Sequence, residues 1–244
     1  MRSCLIKTFA RSFLLQASWN FERLQNLGFL YMLLPGLRSI YGAELSDEIL
    51  DRHKEYFNTH PYFAPMIAGV TLRLEESAAA SEVSEMDVPV FKNMVMAPFA
   101  AIGDSLFWGG IRPLAAIIAL FLASQGSLWA PLVFLVLFNV PHLVCRGGGL
   151  LLGYYGGMRA IESIQRFRLP DLSVRCKEGS TILLGVICAY LAHKGCNLQD
   201  LPSLWGFALL PVVLLFAHFA SKGISSLFLI LITTASLLVL ALMF

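Results

Sequence analysis

Between Lys92 and Pro113 the sequence reads KNMVMAPFAAIGDSLFWGGIRP, an apolar run carrying one acid, Asp104, one base, Arg112, and Trp108 midway between them. Pro98, Gly103, Gly109, Gly110 and Pro113 punctuate it. A helix that simply crosses a bilayer needs neither the charges nor the breakers, and a soluble core seldom places an acid so deep in apolar sequence. Charge and irregular backbone at membrane depth are tolerated where protein or a water-filled cavity surrounds them. The stretch predicts a permeation or binding site within a membrane protein.

Composition agrees. The 244 residues are 57% hydrophobic and 14% charged, where a soluble domain carries about 25% charged residues. Charge is also uneven: twelve of the sixteen acids precede Ile111, and only Glu162, Asp171, Glu178 and Asp200 follow it. This divides the chain into an amphipathic, partly aqueous region (1–90) and a membrane-embedded region (91–244), read together as one integrated unit. The fold class expected is an all-α polytopic membrane protein, with several transmembrane helices, short broken or re-entrant helices, and an N-terminal amphipathic helical region. A net charge of +2, without a basic tract interleaved with aromatics, points away from nucleic acid. The five cysteines form no CxxC pair and read as small apolar residues. The first residues, MRSCLIKTFARSF, lack an uninterrupted apolar stretch, so they do not read as a cleavable signal peptide.

Along the chain, Thr8 to Tyr41 carries apolar residues at three- and four-residue steps and predicts an amphipathic helix broken near Pro35-Gly36. ELSDEILDRHKEY (44–56) predicts a short helix capped by Ser46, its charges forming a solvated face. A turn bounded by proline follows, then a helix to about Ala80, then the polar connector Ser81–Pro89. Beyond Pro113 the apolar segments look short or interrupted: Leu114–Ala123, Leu128–Cys145 with Pro131 and Pro141, Gly147–Met158, Thr181–Ala192, and Leu204–Ala220 with Pro211. Ile224–Phe244 alone reads as a clean span. Interrupted segments of this kind are the pattern of discontinuous helices in transporters. Five Lys/Arg between Arg159 and Lys177 orient that loop to the cytoplasm.

Asp104, Trp108 and Arg112 fall at i, i+4 and i+8, one helical face if the glycines leave it intact. The acid and base could form a structural pair. Alternatively, Asp104 accepts hydrogen bonds from a polar solute while Trp108 offers a flat apolar face, a combination that suits a sugar. Further binding candidates are Asn58 and His60 in the turn, Glu75 at a helix end, and Asn139 within an apolar run. For Asn58 and His60 the competing reading is backbone hydrogen bonding in a turn. For Glu75 it is a solvated helix end, and for Asn139 a packing partner. Gly149, Gly153 and Gly157 form a GxxxGxxxG stripe that predicts close helix packing. Neither catalytic nor metal-ligating residues emerge: GxSxG, HExxH, Walker A and GxGxxG motifs are missing, and the five histidines lack ligand spacing. No cofactor is expected.

Five blocks carry a resemblance: Ser18–Gly42, His53–Glu76, Phe91–Ala116, Gly126–Gly157 and Lys177–Val186, including NTHPYF, GDSLFWGGIRP and KEGST. In order and spacing they resemble the IID membrane subunit of the mannose-family phosphoenolpyruvate-dependent sugar phosphotransferase system. The resemblance implies a non-enzymatic permease subunit in the bacterial cytoplasmic membrane. It would form the sugar path with a IIC subunit, in a multimer of IIC–IID heterodimers, and be served by the phosphocarriers IIA and IIB. By the same resemblance His60 is no phosphocarrier, since the phosphorylated histidines lie on IIA and IIB. The family usually carries a longer polar insertion where this chain has only Lys194–Ser203, and beyond Ala192 the match is mainly one of hydropathy. A subunit that scaffolds IIC without touching sugar is the alternative; a membrane transferase using Asp104 or His60 as base is a third, without motif support.

Overall fold

The computed structural model describes residues 1–81, 86–200 and 202–243, so most of the polar connector expected at Ser81–Pro89 lies outside the described residues. The protein is an all-α polytopic membrane protein, without strands among the described residues. Its helices are α1 (Arg2–Ser12), α2 (Asn26–Tyr41), α3 (Asp47–Lys54), α4 (Ala64–Ala79), α5 (Val88–Gly103), α6 (Arg112–Ser124), α7 (Ala130–Gly156), α8 (Arg159–Arg166), α9 (Leu169–Leu198), α10 (Leu209–Ser221) and α11 (Ser226–Met243). A π-helical stretch, Asp104–Ile111, joins α5 to α6, and a 3₁₀ turn, Ser203–Ala208, precedes α10. Two compact units are present, Met1–Leu183 and Leu184–Phe244.

Among the described residues, three helical stretches are long and apolar enough to cross a membrane: Val88–Ser124, Ala130–Gly156 and Arg159–Leu198. Several expected interruptions are therefore absent. Leu114–Ala123 is the end of a 37-residue stretch. Leu128–Cys145 and Gly147–Met158 merge in α7, which runs through Pro141, while Thr181–Ala192 lies within α9. Proline removes one donor and crowds one carbonyl, a cost that a long packed helix absorbs as a local adjustment. The segment expected at Leu204–Ala220 does split, into the 3₁₀ turn and α10. Ile224–Phe244 contains the 18-residue α11.

The N-terminal region breaks elsewhere than expected. The helix ends at Ser12, the chain turns through Phe13–Gln25, and α2 then runs unbroken through Pro35. Pro35 cannot donate to the carbonyl four residues earlier, Tyr31 O, and Arg11 Nη1 donates to it instead at 2.9 Å. Helix α3 forms as expected, with Ser46 Oγ accepting from the Ile49 N–H at 3.4 Å.

The core of the first unit centres on α4, where Ala64, Met66, Ile67, Ala68, Val70 and Leu72 have no exposure. Its packing against α7 is a backbone-to-backbone approach. A Cβ on Gly153 would sit 2.3 Å from Met66 O, and one on Gly69 would sit 2.4 Å from Leu150 O. Gly149 also faces α4, at Met66 Cβ. Gly157 does not continue this stripe: it ends α7 at φ +54°, a conformation in which a side chain is strained.

Candidate functional site

Two groups of polar side chains lie inside the first unit. The first surrounds Glu75, which α4 holds fully buried rather than at a solvated end. Its Oε1 is 2.9 Å from His53 Nε2, its Oε2 accepts from the Tyr41 hydroxyl at 2.8 Å, and the Arg52 guanidinium pairs with the same oxygen. Lys92, also buried, donates to the Arg52 carbonyl and lies 3.7 Å from Glu55. The charges of α3 are thus only partly a solvated face; Arg52 and His53 clamp it onto α4. Burial pushes the His53 imidazole below its ordinary value, against the pull of Glu75. Burial alone would raise the Glu75 carboxyl, but His53, Tyr41 and Arg52 together hold it down, so the carboxylate stays ionised. The Tyr41 hydroxyl is pushed up to about 12 by burial and by Glu75, and so remains a donor.

The second group surrounds the π-helical stretch. There the Arg112 N–H bonds Phe107 O, five residues back, and π segments often mark functional positions. Gly103 allows the approach of His60: a Cβ at residue 103 would fall 2.2 Å from the imidazole. His60 is 1% exposed and stacks on Phe107 at 5.3 Å, with Trp108 at 5.2 Å and tilted. Its Nδ1 accepts from the Tyr62 N–H at 3.3 Å, which leaves the proton on Nε2. That Nε2 has no hydrogen-bond partner and points toward Asp104 Oδ1, 4.0 Å away. Burial, and secondarily Arg146, lower the His60 pKa to about 4. The imidazole is therefore neutral at pH 7, and its approach to Asp104 is a dipole facing a carboxylate rather than an ion pair.

Asp104 itself is open, its side chain 63% exposed. Arg112 is not its ion-pair partner: the guanidinium lies over the Trp108 ring at 5.7 Å. The Asp104–Arg112 pair considered from sequence does not form, and cation–π contact takes its place. Trp108 is 39% exposed and stacks with Phe138 of α7. On the opposite side Ser105 meets α9: its hydroxyl is 2.8 Å from Ser173 Oγ and accepts from Lys177 Nζ at 3.1 Å.

Of the six binding candidates, the structure gathers His60, Asp104 and Trp108 at one place. Asn58 is half-buried beside them in sequence, its N–H directed at Met96 Sδ. Asn139 bonds the Leu135 carbonyl and His142 Nε2, and Glu75 belongs to the separate buried network. Sequence reasoning did not single out Arg146, which is buried between the Phe13 and Tyr62 rings and donates to Ser12 O at 2.8 Å. A lone arginine in the apolar run of α7 was the available signal. Tyr41, Arg52 and His53 offered none, because each sits in polar sequence.

An exposed carboxylate, an adjacent aromatic face, and long helices whose most apolar stretches are only 22%, 17% and 11% buried describe a membrane protein with a polar patch set among apolar surfaces. The model of the PTS system mannose/fructose/sorbose family IID component matches residues 1–244. The chain belongs to this family. Among IID relatives, the mannose-specific EIID component of Escherichia coli (strain K12) is 39% identical over 189 residues, covering 76% of this chain and 65% of the relative. The fructose permease IID component of Bacillus subtilis (strain 168) is 36% identical over 192 residues, covering 78% and 68%. The sorbose-specific EIID component of Lacticaseibacillus casei is 36% identical over 193 residues, covering 78% and 67%. The chain thus aligns with slightly less than two thirds of the E. coli relative. Two solved structures cover 96% of this IID chain, and it covers 94% of each. One is described as a membrane protein (TM-score 0.72, 31% identity), the other as the mannose transporter ManYZ in complex with microcin E492 (TM-score 0.60, 30% identity).

Proposed function

We propose that this IID protein is a membrane subunit of a mannose-family phosphotransferase permease. With a IIC subunit it forms the path by which a hexose or amino sugar crosses the bacterial cytoplasmic membrane, coupled to phosphorylation by IIA and IIB. The observation that carries the reading is the family match over the whole of residues 1–244. The open apolar faces of the three long helices supply surface for lipid and for IIC. In this reading regions 1–90 and 91–244 act as one unit, IIC–IID heterodimers multimerise, and this subunit carries no phosphoryl group and performs no chemistry itself. Asp104 and Trp108 provide the sugar contact, with His60 beside them and Asn58 and Asn139 as further candidates.

A second reading, a scaffold for IIC that makes no sugar contact, draws support from the burial of Glu75 and His60. Uptake of radiolabelled mannose, glucose, fructose, sorbose and glucosamine, measured in a strain lacking its own IIC and IID, tests the function. Uptake of one or more sugars is expected only when this protein, IIC, IIA and IIB are all present. Sugar phosphorylation by the purified chain alone, or uptake that persists without it, overturns the proposal.

A further inference from the structure

Helix α1 and the last third of α7 enclose a groove of about 480 Å³. Leu5, Ile6 and Phe9 form one wall, and Gly147, Leu150 and Leu151 the other. The walls are almost wholly apolar. Ser12 bonds Arg146, and Phe9 lies beside Gly147, so α1 runs antiparallel to α7. Arg2 and Tyr155, which also line the groove, therefore stand at the same end of it. That is the end where α7 gives way to the segment 159–177 with its five Lys/Arg. Helix α1 brings Arg2 to that end, carries Lys7 further along, and contains no acid.

An apolar slot along a membrane-spanning helix, capped by a guanidinium and a phenol on the basic side of the protein, has the polarity of one lipid molecule. Ile6 at 70% exposure and Leu151 at 49% leave the slot open to an occupant. Basic segments collect on the cytoplasmic side, where the leaflet is anionic. We propose that the groove holds an acyl chain of an anionic phospholipid, with its phosphate against Arg2 and the Tyr155 hydroxyl. The site anchors the N-terminal helix to the membrane face of α7. It is separate from the Asp104–Trp108 site and stands without the transport reading.

Native mass spectrometry of the purified full-length chain, delipidated and then titrated with phosphatidylglycerol or phosphatidylcholine of identical acyl chains, tests this. Phosphatidylglycerol is expected to bind more tightly. Arg2→Gln, a change at an exposed residue, should weaken phosphatidylglycerol about fivefold, the effect of one basic group near an anionic surface, and leave phosphatidylcholine unchanged. A Cβ at Gly147 meets only Phe9 Cε2, at 3.6 Å, so Gly147→Leu fills the slot and should reduce both lipids. Equal affinity for the two lipids, an unaltered phosphatidylglycerol affinity in both variants, or displacement of phosphatidylglycerol by equimolar inorganic phosphate would overturn the assignment.

Discussion

His53 Nε2 and Glu75 Oε1 lie 2.9 Å apart with neither side chain exposed, and this contact ties the charged helix α3 into the protein interior. Tyr41 and Arg52 satisfy the other carboxylate oxygen. A buried ion in such a network is costly to abandon, because deleting one partner leaves the others desolvated. Glu75→Ala should destabilise the protein by about 3 kcal/mol, the low end for a broken buried pair, since Arg52 keeps some solvent contact. Glu75→Gln, which keeps one acceptor oxygen for Tyr41 or His53 and leaves no bare cavity, should cost less. Thermal unfolding in detergent measures the difference. If Glu75→Gln folds and alters the apparent KM for sugar, the residue is more than structural.

The α4–α7 crossing makes a prediction by position. Gly153→Ala drives a Cβ into Met66 O and should cost about 1–3 kcal/mol, the usual effect of overpacking. Gly149→Ala meets Met66 Cβ at 3.2 Å and gains helix propensity, so it should be close to neutral. Gly157→Ala should cost about 1–3 kcal/mol through its backbone alone, since φ +54° with ψ −136° is a conformation that glycine adopts and side chains resist. Melting temperatures for the three variants rank them. A Gly149→Ala protein less stable than Gly153→Ala would contradict the crossing.

Local chemistry explains which parts of this architecture could be read from sequence. Ser46 marked a helix start because capping needs only a side-chain oxygen and a nearby N–H. Gly153 was legible because small-residue spacing follows directly from helix geometry. Pro35 and Pro141 misled because breaker rules describe isolated helices, whereas here Arg11 supplies the donor that Pro35 lacks, and Pro131 sits in the first turn of α7, where no N–H is needed. Glu75 misled more seriously. Its sequence neighbours Glu76 and Ser77 are polar, and only the long-range arrival of Arg52, His53 and Tyr41 makes its burial tolerable. Likewise Asp104 and Arg112 were placed on one face, but tertiary packing set Arg112 over Trp108 and brought His60 to Asp104.

Stability should fall on mild acidification, and His60 should account for part of the fall. With a folded pKa of about 4 against an ordinary 6.5, the unfolded chain takes up this proton first. The contribution of neutral His60 is thus intact above pH 6.5, declines as pH drops through the interval, and is exhausted near pH 4. Its full size is about 3 kcal/mol by linkage. His60→Gln should flatten the pH dependence of the melting temperature between pH 7 and 5. An unchanged slope in that variant would place the histidine in a more solvated setting than the stacked one described.

Asp104 and Trp108 separate the two readings of the protein's role. Asp104 is exposed within a stretch long and apolar enough to span the membrane, and a carboxylate facing lipid there is strongly unfavourable. Its surroundings in the working assembly must be polar, whether sugar, water or groups on IIC. If it accepts hydrogen bonds from sugar, Asp104→Asn loses charge-assisted bonds worth about 1.5–3 kcal/mol, so the apparent KM should rise roughly 10- to 100-fold. Trp108→Leu should raise KM less, by removing the ring that a sugar C–H face would cover, and should free Arg112 from its cation–π contact. Both proteins should still assemble with IIC, measured by co-purification. Uptake with unaltered KM in an assembled Asp104→Asn complex would favour the scaffold reading. Loss of co-purification without a change in KM for the residual complex would assign the carboxylate to the IIC interface.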